Sequence, residues 1–148
     1  MRGKSKPFME TPLATKEQIA AFLAQAFPQS KCIIEEVGTL SATIRHPVGV
    51  HELRPGGTVS GPVMMACADV ALYVAILGQI GIVPLAVTTS LNINFLRKPS
   101  PDHDIIARCT LIKLGKLLAV GEVSIYSEGN PEPVAHAVGT YAIPQARA

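Results

Sequence analysis

One carboxylate sits where carboxylates are costly. Between Gly61 and Val87 the only strongly polar side chains are Asp69 and Gln79, and a carboxylate among apolar neighbours is disfavoured unless something compensates it. Its chemical reading is an acid/base or nucleophilic group whose proton affinity is tuned by its surroundings. Its structural reading is a helix residue satisfied by a hydrogen bond or facing an interface. Ser60-Gly61-Pro62 open the same stretch. Ser60 can cap a helix there, and Pro62 fits just inside its start. The Gly61 N–H is then a donor without an intrahelical partner, placed at the positive helix end, where it suits an oxyanion or a polarised carbonyl. An ordinary capped helix start has the same residues, and Pro62 removes the next donor. Arg97, Lys98, Lys113 and Lys116 fall at strand ends, where solvated turn charges are the default. His46, His103 and His136 show no metal-ligand spacing. Cys32, Cys67 and Cys109 include no CxxC pair and are odd in number. No metal site or disulfide framework is expected, but reduced core thiols in a cytoplasmic protein.

The elements that must hold these residues follow from periodicity and turn chemistry. Residues 1–14 read as a flexible N-terminal arm, and 15–148 as a single domain. Thr15 and Gln18 resemble a capping box, opening a helix to about Phe27 with Ile19, Phe22, Leu23 and Ala26 on one stripe; Pro28 ends it. Strands are expected over Cys32–Val37 and Thr39–His46, the second alternating Leu40, Ala42 and Ile44 with Ser41, Thr43 and Arg45. Pro47–Val59 is a loop. The helix Gly61–Gly78 is apolar on nearly every face and must be buried on every face. Four strands follow, Leu85–Leu96, Asp104–Leu114, Leu117–Ser127 and Pro133–Ile143, with turns at Gly115-Lys116 and Glu128–Glu132. Strands joined by short turns make an antiparallel sheet, and wrapping that sheet around the helix buries it. The fold class is therefore α+β, a curled antiparallel sheet around one long buried helix. Two subunits can pair the exposed sheet edges.

Composition narrows the function classes. The chain has 148 residues, 48% apolar and 16% charged, against about 25% charged for an average globular chain. Disorder is excluded, and the scarcity of charge points to surface buried against another subunit. The net charge of +2 and the absence of Trp argue against nucleic acid, which wants a concentrated basic face and stacking platforms. The run from Gly61 is long enough to cross a membrane. However, Asp69 in the bilayer costs roughly 2.5–3.5 kcal/mol, and Gly78, Gly81 and Pro84 interrupt the run, so a buried helix is expected. The polar N-terminus is not a secretory signal.

Ser60-Gly61-Pro62, six residues and Asp69 resemble the His-Gly-Gly-(six residues)-Asp motif of hot-dog thioesterases of the phenylacetate-degradation (PaaI-like) type. Leu91-Asn92-Ile93-Asn94-Phe95-Leu96-Arg97-Lys98-Pro99 is similar to that family's next strand and its exit, and Lys113-Leu114-Gly115-Lys116 to its basic hairpin. The resemblance spans roughly residues 36–143. It implies a hot-dog fold and an acyl-CoA thioesterase that acts as a homodimer or larger homo-oligomer. No cofactor is implied, because coenzyme A enters as part of the substrate. It matches Asp69 to the catalytic carboxylate, Gly61 to the glycine whose N–H polarises the thioester carbonyl, and Thr88 to a hydroxyl that orients water. Arg97, Lys98, Lys113 and Lys116 become anchors for the coenzyme A phosphates. The motif His is Ser60 here, its second Gly is Pro62, and Arg54 stands about where the family has an upstream Asn. His51 and Arg54 are the nearest polar candidates to replace that relay. Gly61 and Asp69 are separated by about 12 Å along one helix, too far to serve one thioester together, so composite sites are expected, with Gly61 from one protomer and Asp69 from its partner. Two alternatives are a hot-dog dehydratase or hydratase using His51 ahead of Pro55-Gly56-Gly57, and a non-catalytic acyl-CoA-binding module.

Overall fold

A computed structural model describes residues 12–145. The order is α1 (Lys16–Ala26), β1 (Ile33–Gly38), β2 (Ser41–His46), a 3-10 turn (Val50–Glu52), α2 (Gly61–Ile80), β3 (Val87–Phe95), β4 (Ile105–Leu114), β5 (Leu118–Ser127) and β6 (Ala135–Ala142). All six strands join one sheet in the order β1-β2-β4-β5-β6-β3, every pairing antiparallel. The sheet packs against α2 in the hot-dog arrangement.

Local signals set the ends of both helices. The Thr15 hydroxyl accepts from the Gln18 N–H at 3.1 Å while the Thr15 N–H donates to Gln18 Oε1 at 2.9 Å, a complete capping box. Ser60 Oγ accepts the Val63 N–H at 3.4 Å, and Gly81, at φ +92°, stops α2. β4 and β5 alternate buried and exposed residues, so one face carries the core. From Ala68 to Gln79, apart from Asp69 and Val70, α2 is buried. Gln79 satisfies itself there by accepting the Leu40 N–H at 2.7 Å.

Three expectations change. The helix is not covered all round: Pro62, Met65 and Ala66 in its first turns are exposed, because the chain's own sheet covers mainly the later turns. Residues 1–11 lie outside the described residues, but the end of the expected arm is anchored. The Leu13 and Ala14 N–H groups both donate to the Gly78 carbonyl, and Ala14 is buried. The loop Pro47–Val59 contains the 3-10 turn, which carries a buried Glu52. The helix has a membrane span's length and hydropathy, yet 67% of its most apolar window is buried inside the protein.

Candidate active site

Asp69 projects from the middle of α2, half-buried, into a cleft of about 980 Å³. β3 is the sheet's edge strand and pairs with β6, with Thr88 opposite Tyr141. That register brings both hydroxyls to the carboxylate. Thr88 Oγ1 donates to Asp69 Oδ1 at 2.5 Å, and Tyr141 Oη donates to the same oxygen at 2.8 Å. Tyr141 Oη also lies 3.1 Å from the Asp69 backbone carbonyl. Both side-chain donors therefore use Oδ1, which holds the carboxylate in one orientation and leaves Oδ2 unengaged by either hydroxyl. Burial pushes the Tyr141 hydroxyl well above its ordinary range, so it stays a donor. Tyr141 also stacks on Tyr73, whose hydroxyl donates to the Pro84 carbonyl at 3.0 Å. Phe27, Tyr73, Val70 and Val87 give the cleft an apolar wall.

A second polar group lines the same cleft. Glu52 is 4% exposed and accepts the Gly49 N–H at 2.8 Å, Lys31 Nζ at 2.9 Å and His46 Nε2 at 3.1 Å. Burial pushes its carboxyl up, but the hydrogen bonds from Lys31, Gly49 and His46 outweigh it and hold the carboxyl at about 2. On the other side of the ring, His46 Nδ1 is 3.6 Å from Cys32 Sγ. Hydrogen bonding to Cys67, aided by His46, holds the Cys32 thiol down at about 5, while the same bond pushes Cys67 up.

The remaining expected site residues are dispersed. His51 is exposed and lines the cleft. Ser60 is occupied as the cap of α2. Gly61 stands at the helix start against the Phe95 ring, 3.2 Å from where a Cβ would lie. Arg54 donates to the neighbouring Pro55 carbonyl, outside the cleft. Arg97 donates to the Pro133 carbonyl at 2.6 Å and pairs with Glu132 at 3.2 Å, at the far end of β3 from Thr88. Lys98 is exposed beyond it. Lys113 and Lys116 are exposed at the β4–β5 hairpin, where Leu118 pairs with Ala142 and Ala142 with Val87. That hairpin lies at the same end of the sheet as Thr88 and Tyr141.

Sequence reasoning missed Tyr141, Glu52 and the grouping of Cys32, His46 and Cys67. Tyr141 had one faint signal, the parity of its strand: it shares a face with Ala135, Ala137 and Gly139, all buried. A Tyr141→Phe variant removes one of two donors from a carboxylate, an interaction worth about 1.5–3 kcal/mol. Turnover is expected to fall about 10–100-fold with the substrate's KM little changed. A steady-state comparison in which KM rises instead assigns Tyr141 to binding.

Comparison with known proteins adds relatives to this geometry. A sequence model described as the thioesterase superfamily matches residues 56–134. A crystal structure of a thioesterase candidate from Silicibacter sp. is 40% identical, covering 93% of this chain and 96% of that one, with a TM-score of 0.85. Zebrafish thioesterase superfamily member 2 is 19% identical over 88% of this chain and 99% of its own, at a TM-score of 0.78. The E. coli PaaI protein from the phenylacetic acid degradation operon is 21% identical over 88% of this chain and 94% of its own, at 0.78. The last two share the fold. Comparison with curated protein sequences found no match.

Proposed function

Because the chain belongs to the thioesterase superfamily, we propose that its substrate is an acyl-CoA, hydrolysed by water to a carboxylic acid and free coenzyme A. The carrying observation is Asp69 fixed through Oδ1 by Thr88 and Tyr141 in the lining of an apolar-walled cleft. The acyl chain lies along Phe27, Tyr73 and Val87. The Gly61 N–H polarises the thioester carbonyl. Asp69 Oδ2 either takes a proton from the attacking water or attacks the carbonyl carbon itself. In the first case Asp69 passes that proton on to the leaving thiolate. In the second, attack expels the thiolate and leaves an acyl–Asp69 anhydride, which water opens to the carboxylic acid and the free Asp69 carboxylate while a water proton goes to the thiolate. Lys113 and Lys116 are the better placed of the basic residues to meet coenzyme A phosphates, since Arg97 is committed to Glu132 and Pro133. The test is free-thiol release from a panel of aromatic and aliphatic acyl-CoAs. Hydration of an enoyl ester without thiol release would move His51 to the centre of the mechanism, and tight binding without turnover would make this a carrier module.

The active unit in this reading is a homodimer. Among the described residues β3 has an unpaired edge, and Val87 and Phe95 are each 51% exposed along it. Beside them the first turns of α2 expose Met65. An apolar edge strand next to an apolar helix surface calls for a partner, and a two-fold contact there sets two antiparallel α2 helices side by side, with Gly61 of each near Asp69 of the other. Mixing Asp69→Ala chains with Gly61→Pro chains therefore creates heterodimers with one intact site and one doubly defective site. Each heterodimer should show about half the wild-type dimer's turnover, where either parent alone is inactive. Mixtures no faster than their parents place both residues' work within one protomer.

A further inference from the structure

We propose that Cys32, His46 and Cys67 bind a soft divalent transition metal, of which zinc is the best fit, in the wall of the cleft. The two sulfurs and one ring nitrogen lie within 4.8 Å of one another. A tetrahedral zinc with ordinary bond lengths sets a sulfur and a nitrogen ligand about 3.6 Å apart, and Cys32 Sγ and His46 Nδ1 are separated by 3.6 Å. Behind the ring, Glu52 Oε2 is 3.1 Å from His46 Nε2. A carboxylate on the far nitrogen is the arrangement that orients a metal-bound imidazole and directs its other lone pair at the ion. Glu52 is itself buried and anchored by Gly49 and Lys31, so the ring cannot easily turn away. The donor set of two sulfurs and one imidazole selects zinc-like ions over magnesium or calcium.

The three ligands come from the α1–β1 connection, the end of β2 and the middle of α2. An ion there ties the cleft's outer wall to the helix that carries Asp69. Cys32 and His46 line the cleft while Cys67 is fully buried beneath them. The fourth coordination position therefore opens on the cleft and belongs to water or to a bound molecule.

The full chain, reduced and stripped with a chelator, is titrated with Co²⁺ and then with Zn²⁺. One cobalt per chain is expected, with thiolate-to-cobalt charge-transfer absorption and the strong visible bands of a tetrahedral ion, both lost when zinc displaces it. Cys32→Ser should abolish the charge-transfer signal or weaken binding at least about 10-fold, and Glu52→Gln should weaken zinc binding about 10–100-fold. Cys109→Ser, which alters a buried thiol on β4 outside the cluster, should bind like wild type. Zinc should also slow alkylation of Cys32 in the unmodified chain, a readout that needs no variant to fold. Weak octahedral cobalt spectra, binding indifferent to Cys32→Ser, or unchanged alkylation would show a hydrogen-bonded thiol–imidazole group and overturn the proposal. A Cys32–Cys67 disulfide that forms in air and persists with excess zinc would overturn it as well.

Discussion

Asp69→Asn should lower thioester hydrolysis by about 10²–10⁴-fold, the range that general acid–base groups contribute, while the protein still folds. The amide oxygen can replace Oδ1 and accept from both Thr88 and Tyr141, so the hydrogen bonds seen at 2.5 and 2.8 Å survive. What the variant loses is the second oxygen, which becomes an NH₂ that can neither take a proton nor attack a carbonyl. The loss should therefore appear in kcat, with binding of the proposed acyl-CoA substrate unchanged. The check is thiol release for wild type and variant alongside their thermal unfolding. Equal, feeble rates in two well-folded proteins would make Asp69 a structural residue held by two hydroxyls.

The second large effect concerns the contact between helix and sheet. Gly121 and Gly139 face each other across β5 and β6, and Leu72 of α2 fills the space they leave. A Cβ on Gly139 would lie 2.5 Å from Leu72 Cδ1, and one on Gly121 2.7 Å from Leu72 Cδ2. The two glycines thus let the sheet approach the helix closely enough to bury Leu72 to 1% exposure. Leu72→Ala should destabilise by about 2–5 kcal/mol, through lost burial and the cavity left behind. Gly139→Ala should cost about 1–3 kcal/mol by overpacking. Each substitution relieves the other, so the double variant should fall short of the sum by about 0.5–3 kcal/mol. Denaturant midpoints at constant m-value measure all three. Strict additivity would mean that Leu72 turns aside and that the glycines do not set the spacing. This damage should reach activity only through folding, since none of the three residues lines the cleft.

Much of this protein was legible along the chain. Every helix and strand was foreseen in order, because repeats of two or of three to four residues are local patterns that burial imposes directly. The Thr15–Gln18 box, the Ser60 cap and Gly81 as the stop of the apolar run were equally local, whereas Gly78, expected to end α2, lies buried inside a helix that continues to Ile80. Asp69 stood out for an energetic reason, as a carboxylate surrounded by side chains that cannot solvate it. The scarcity of charge raised the expectation of a partner subunit, and Met65, Val87 and Phe95 are the exposed apolar residues on which the proposed dimer contact is drawn.

The tertiary structure decided which distant residues meet. No local pattern placed β3 at the sheet's edge beside β6, because a strand's partner is chosen by pairing across the fold and leaves no periodic mark in the chain. Yet that choice alone puts Thr88 opposite Tyr141 and both hydroxyls on Asp69. The same holds for Glu52, which the chain presents as one acidic residue in a loop and the fold buries behind His46. It holds most for Cys32, His46 and Cys67, whose separations match no ligand motif and whose side chains converge only because α1, β2 and α2 pack together. Local free energies write the elements; long-range packing writes the site.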